Sequence, residues 1–120
     1  MKKKVGEFSQ HVIDLLGLNI EAGTPIYIAD SNIEHMRSCH PEDFERYFDK
    51  IERILEKPTY VGQNPKDDSV EFVKEYQIDG NFVKVAVRIS AGNQYYTRSL
   101  YVLNPTRVRL YFAKGTLKEV

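Results

Sequence analysis

Between Val70 and Leu103 apolar and polar residues alternate with a period of two, whereas between Pro41 and Lys57 they recur with the period of a helix. In the helical stretch Phe44, Tyr47, Phe48, Ile51, Ile54 and Leu55 fall at i, i+3, i+4, i+7, i+10 and i+11, which is one buried stripe. Pro41 suits a first helical position with His40 as the cap, and Lys57-Pro58 ends the run. In the alternating stretch Val70, Phe72, Tyr76 and Ile78 share one face of a first strand, and Val83, Val85, Val87 and Ile89 share one face of the next. Asp79-Gly80 has the composition of a two-residue hairpin turn, Gly92-Asn93 makes a second turn, and residues 95–103 make a third strand. The pattern predicts an antiparallel meander over 70–103 packed on an amphipathic helix over 41–57. That is an α+β domain with three or four antiparallel strands.

A two-residue loop at Asp79-Gly80 sets the register. It pairs Tyr76 with Val83, Phe72 with Val87 and Val70 with Ile89, and on the other face Glu71 with Arg88 and Glu75 with Lys84. A slip of one residue would destroy both patterns. Across the second turn Ile89 meets Tyr96, Val85 meets Leu100 and Val83 meets Val102. The polar face then carries Thr97 beside Arg88, Ser99 beside Ala86 and Tyr101 beside Lys84. Lys74 and Arg98 fall on the apolar side, where cations are unexpected. Either they snorkel past the core or line a cleft at the sheet edge, or a bulge turns them round.

The rest of the chain carries weaker signals. Phe8, Val12, Leu15 and Leu16 have helical spacing over 7–17, with Gly17 as a stop, and Pro25–Ala29 reads as a short strand. Ser31-x-x-Glu34 has capping-box spacing before a short helix over 32–38, and Thr59–Val61 reads as another short strand. Asn104-Pro105 breaks the last strand ahead of a closing helical turn over 106–113, after which the polar tail is expected to fray. The expected organisation is a single domain, 1–120, with its core in 26–104.

Composition changes this picture little. A chain of 120 residues with 42% hydrophobic content builds a core without disulfides, and Cys39, the one cysteine, has no partner within the chain. Lys2, Lys3 and Lys4 look like the start of a signal peptide, but no apolar run follows. A cytoplasmic protein with no membrane partner is expected. The zero net charge and pI of 6.8 argue against bulk positive charge as the means of holding nucleic acid, and leave a local basic site open. No metal motif, glycine-rich phosphate loop or G-x-S-x-G elbow is present, and His35 and His40 are five apart, not at the spacing that puts ligands on one helical face. Neither metal nor cofactor is expected.

What remains is a polar sheet face beside two histidines. A carboxylate, two cations, hydroxyls and a tyrosine suit phosphodiester transesterification, which needs a base for the 2′-hydroxyl, a cation for the phosphorane charge and an acid for the leaving oxygen. Histidine supplies proton transfer near neutral pH, arginine grips phosphate with a planar fork, and tyrosine stacks on a base or donates a proton. The plainer alternatives stay open. Arg88 and Lys84 pair with Glu71 and Glu75, Thr97 and Ser99 are ordinary strand residues, Tyr101 covers half-buried surface, and His40 is a cap.

The run His35-x-x-x-x-His40-Pro41, the long amphipathic helix, Lys57-Pro58-Thr59-Tyr60-Val61, the hairpin, and the strand ending Arg98-Ser99-Leu100-Tyr101 resemble the phage branch of the barnase–EndoU–colicin–RelE-like nucleases. The resemblance covers residues 26–104, and Cys39 stands where a basic residue is usual. It implies a helix-plus-antiparallel-sheet fold and metal-independent RNA cleavage by a sheet-borne site in a phage or mobile-element protein. The residues it implies as catalytic are His35, His40, Lys74, Ser99 and Tyr101; the face analysis adds Arg88, with Lys84, Thr97 and Arg98 as RNA contacts. RNA is the expected substrate, and an inhibitor or immunity protein the expected partner of a toxin-like ribonuclease. The alternative is a non-catalytic module that holds RNA or a protein on the same face.

Overall fold

The computed structural model describes residues 1–90 and 92–120. In chain order the elements are β1 (Lys2–Glu7), α1 (Gln10–Leu16), β2 (Pro25–Ala29), α2 (Asp30–Cys39), α3 (Pro41–Tyr47), a 3-10 turn (Phe48–Lys50), α4 (Ile51–Glu56), β3 (Tyr60–Gln63), β4 (Val70–Tyr76), β5 (Asn81–Ile89), β6 (Tyr95–Leu103), α5 (Pro105–Ala113) and β7 (Leu117–Glu119). The strands form one seven-stranded sheet in the order β1-β2-β6-β5-β4-β3-β7. It is mixed, because β2 and β6 run parallel while the other neighbours are antiparallel.

The meander packs on the amphipathic segment as its pattern requires. Phe44, Tyr47, Ile51, Ile54 and Leu55 are buried with Val70, Phe72, Val83, Val85, Val87 and Leu100 in one core. The segment is not one helix but two, joined by the 3-10 turn. Tyr47, fully buried, anchors it to the meander: its hydroxyl donates to Asp79 Oδ2 at 2.8 Å and accepts from Asn81 Nδ2 at 2.9 Å. Arg46 lies 3.2 Å from the same carboxylate. Nearby, Tyr76 buries a hydroxyl without a hydrogen-bond partner among the described residues. Tyr76→Phe removes that uncompensated polar group and is expected to raise unfolding stability by about 1 kcal/mol, checked by urea denaturation.

The sheet is larger than the three or four antiparallel strands expected. β1 buries only Val5 as a side-chain anchor and otherwise shows lysines to solvent, which is how an edge strand resists further pairing. The tail expected to fray is β7, pinned by fully buried Leu117 and paired with β3. Gly62 explains how the chain after α5 comes so close: a Cβ there would collide with the carbonyl oxygen of Thr116. Gly62→Ala is expected to cost about 1–3 kcal/mol, read as a lower denaturation midpoint with increased amide exchange in β7.

The register of the first hairpin also differs. Tyr76 pairs with Asn81, Phe72 with Val85 and Val70 with Val87, so Gln77–Gly80 form a four-residue loop rather than a two-residue one. Asp79 is used to hold Tyr47, and Gly80 takes the positive φ of 69° that closes the loop. The shift is two residues, so every side chain keeps its face and only the partners change. Glu71 meets Ala86 instead of Arg88, and Lys84 meets Val73 instead of Glu75. The second hairpin keeps Val83 with Val102, Val85 with Leu100 and Ala86 with Ser99, then slips. Val87 pairs with Thr97, leaving Arg98 as the extra residue of a bulge. α5 covers one end of the second sheet face, burying Val73, Leu103, Val108 and Leu117 in a smaller core.

Candidate functional site

α2 is where the site begins. β2 stops at Ala29 because a helix starts at once, with Asn32 Oδ1 accepting the Ala29 N–H at 2.8 Å. The Ser31-x-x-Glu34 box is therefore not the cap. β2 reaches β6 only at Tyr95 and Tyr96, so the outer edge of β6 beyond them is met by α2 and α3. Asp43 Oδ2 accepts the Val102 N–H at 3.0 Å, satisfying an edge donor that lacks a neighbouring strand. Met36 fixes the roll of α2 by burying completely in the main core.

His40 owes its position to Pro41. A residue before proline is pushed out of the helical region, and His40 takes φ −139°, ψ 69°. It closes α2 through its N–H to the Met36 carbonyl (3.1 Å) and opens α3 by accepting the Phe44 N–H (2.9 Å). At this corner its imidazole stacks on Tyr101, with ring centres 4.8 Å apart and planes inclined by 25°.

Two clusters lie along the second sheet face. At one end an open cleft of about 440 Å³ is lined by Ser31 and His35 of α2, Arg88 and Ser90 at the end of β5, and Tyr96 and Arg98 of β6. The bulge is what brings Arg98 there, exposed and away from the apolar side expected for it. Arg88 is half-buried, and its Nη1 stands 4.0 Å from Asp67 Oδ2, a loose pair. The Ser69 backbone N–H, 3.0 Å away, is the main cause holding the Asp67 carboxyl below its usual range, with the Arg88 charge a smaller one. Cys39 Sγ sits 3.7 Å from His35 Nε2, one helical turn on.

At the other end Lys84 Nζ meets Glu71 Oε2 at 2.6 Å, with only 11% and 7% of the two side chains exposed. The ammonium also lies 4.9 Å from the centre of the Tyr101 ring. Burial by itself pulls the Lys84 pKa down, but the hydrogen bonds and charges of Glu71 and Tyr101 outweigh it and raise the value. His40, Tyr101, Lys84 and Glu71 thus form one contiguous chain of contacts. Half-buried Ser99 lies between the clusters, roughly 10 Å apart along β6.

Not every expected site residue is here. Thr97 is completely buried on the opposite face, because the bulge reverses its side; its hydroxyl donates to the Tyr27 carbonyl at 3.3 Å. Lys74 snorkels along the apolar face and donates to the Lys57 carbonyl at 2.7 Å, capping the end of α4. Burial first, then the Arg53 and Lys57 charges, lower its pKa. Lys84 is neither free nor exposed, so the surface role expected for it gives way to a buried ion pair. Ser31, Ser90 and Tyr96 are not among the expected site residues: nothing in the periodicity says that α2 lies against the bulged end of β6.

Among the described residues no group of three His, Cys, Asp or Glu side chains gathers as a metal site, and no helix is long and apolar enough to cross a membrane. A comparison with curated proteins and one with solved structures find no match. A family model described as phage-Barnase-EndoU-ColicinE5/D-RelE like nuclease3 matches residues 3–109, nearly the whole chain. With a seven-stranded mixed sheet compatible with an α+β nuclease and a cation-lined cleft on one face, the chain belongs to this family of phage nuclease-like domains.

Proposed function

We propose that the chain is a metal-independent endoribonuclease that cleaves by 2′-hydroxyl attack on the adjacent phosphodiester. The observation that carries this reading is the cleft that joins His35 to Arg88 and Arg98. Two guanidinium forks and an imidazole match a phosphate that gains negative charge as it becomes pentacoordinate. In this reading Arg88 and Arg98 hold the non-bridging oxygens. One histidine takes the 2′-hydroxyl proton as that oxygen bonds to phosphorus. The other protonates the 5′-oxygen as its bond to phosphorus breaks, leaving a 2′,3′-cyclic phosphate and a 5′-hydroxyl. His35 and His40 stand in the two clusters, roughly 10 Å apart along β6, and in this reading the scissile phosphate lies between them. Tyr101 and Ser99 would meet the neighbouring nucleotide, and cytoplasmic RNA would be the substrate.

The test is incubation of purified protein with RNA in excess chelator. Fragments ending in cyclic phosphate are expected; RNA left intact at equimolar protein would overturn the enzyme reading. One observation favours the alternative of a binding module. Among the described residues no carboxylate is hydrogen-bonded to either imidazole to orient it. Salt-dependent RNA retention without turnover would establish that alternative.

A further inference from the structure

The zero net charge of the chain hides a strong segregation. From Gly80 to Lys118 there are seven lysines or arginines and no aspartate or glutamate, so the acids lie almost entirely in the first 79 residues. This basic third supplies β5, β6 and α5. Lys84 is committed to Glu71, and Lys118 donates to the Leu15 carbonyl at 3.3 Å. Arg88 and Arg98 belong to the cleft. Arg107, Arg109 and Lys114 of the α5 region remain, exposed and with no ion-pair partner among the described residues.

α5 stands on the same sheet face as the two clusters. Val108 and Tyr111 fasten it to Val73, Leu103 and Leu117. Arg107 and Lys114, seven residues apart, lie on one flank of the helical path. Phe112 lies on the other flank, its ring edge-on to Tyr60 at 5.5 Å. Lys114 borders a hollow with Gln63 and Pro65. Along the strands Gln63 is level with Val70, Val87 and Thr97, the end that carries Arg88 and Arg98, although its own side chain shares their opposite face, whereas Tyr60 is level with Val73, Lys84 and Tyr101. The Arg107–Lys114 flank is therefore the side of α5 nearer the Arg88 end of the strands, with Lys114 at the β3–β7 edge beside Leu16 and Lys118.

We infer that α5 is the second wall of the RNA path, and that Arg107 and Lys114 bind phosphates flanking the scissile one. The occupant is a single RNA strand, because a wall of unpaired cations facing a cation-lined cleft is complementary to a polyanion whose phosphates run past both. The inference rests on the ribonuclease reading. It also accounts for how a neutral chain can hold RNA, with a local field in place of net charge.

The test uses a fluorescein-labelled, 2′-O-methyl single-stranded oligonucleotide, which binds but cannot be cleaved, followed by anisotropy over a range of salt. Arg107→Gln/Lys114→Gln is expected to weaken binding at least tenfold. It should also reduce the slope of log affinity against log salt by about 1.4, the loss of two phosphate contacts. With cleavable RNA the variant should raise KM and leave the saturated single-turnover rate unchanged. Arg53→Gln/Lys50→Gln, on the far side of the sheet, should match wild type in both assays. Equal affinity and slope for the α5 variant overturn the inference while leaving the nuclease reading intact, as does an equal loss from the α4 control. A wild-type protein that binds no oligonucleotide overturns the inference, and a wild type that binds but never cleaves overturns the nuclease reading and with it the assignment of these cations to phosphates beside a scissile one. Titration of α5 by an acidic protein with no effect of RNA also overturns it.

Discussion

His35→Ala is expected to lower the single-turnover rate of RNA cleavage by about 10²–10⁴-fold, the usual contribution of a positioned proton-transfer group. His35 is exposed on α2, so its loss should change folding stability by no more than about 0.5 kcal/mol. A large rate effect with an unchanged denaturation midpoint would place the residue in the chemistry. His40→Ala is expected to have an effect of the same size, with an ambiguity that a second variant removes. His40 stacks on Tyr101, so alanine deletes both an imidazole and a platform. His40→Phe keeps the stack and deletes only the proton transfer. If phenylalanine restores the rate, His40 is a stacking residue and the acid–base pair must be sought elsewhere. If both variants are slow, and each loses one limb of the pH–rate profile found for wild type, the two-histidine scheme stands. Arg88→Lys separates charge from shape in the same assay. Lysine keeps the positive charge without the planar fork, and should recover only part of what Arg88→Ala loses.

How much of this was legible beforehand follows from which signals are local. The alternation over Val70–Leu103 fixes which face each side chain takes, and a two-residue error in loop length leaves that untouched. The Asp79-Gly80 pair could not reveal the loop length, because Asp79 is held by Tyr47, 32 residues earlier, and no local pattern encodes that bond. The bulge at Arg98 had a visible trace: a cation on an apolar face is a conflict that the chain must resolve. Lys74 showed the same conflict and resolved it by snorkelling to the end of α4. β1 and β7 left little trace, since each buries one strand residue, Val5 or Leu117, and edge strands need no alternation to pair on one side. The candidate site was legible as a face but not as a place. Joining His35 to Arg88 and Arg98 depends on the parallel contact of β2 with β6, which ends at Tyr96 and lets α2 take over the edge.

Glu71→Ala is expected to destabilise the fold by about 3–5 kcal/mol, because it leaves the Lys84 ammonium buried without its counter-charge. Against a total stability of about 5–15 kcal/mol, the single variant stands near the limit of folding. Lys84→Met should cost a similar amount for the mirror reason. The double variant Glu71→Leu/Lys84→Met removes both charges and fills the space with apolar atoms, and is expected to return close to wild-type stability or above it. Additive losses in the double variant would show that the pair is not a coupled unit. The pH dependence has a definite sign. The folded-state pKa of Lys84 is raised above its ordinary 10.5, so its contribution is complete below the unfolded value and is lost as pH climbs through the folded one. Burial also raises the pKa values of Tyr47 and Tyr76, which adds loss of stability in the same alkaline range. Denaturation midpoints should therefore fall above about pH 10 in every variant that retains the two tyrosines, and fall less in the double variant. The pair also has a reach into the site, since Lys84 holds Tyr101 and Tyr101 carries His40. A double variant that folds like wild type but cleaves more slowly would identify Glu71 and Lys84 as positioning residues, acting through Tyr101 rather than on RNA. Unchanged cleavage in that well-folded variant would confine the pair to stability.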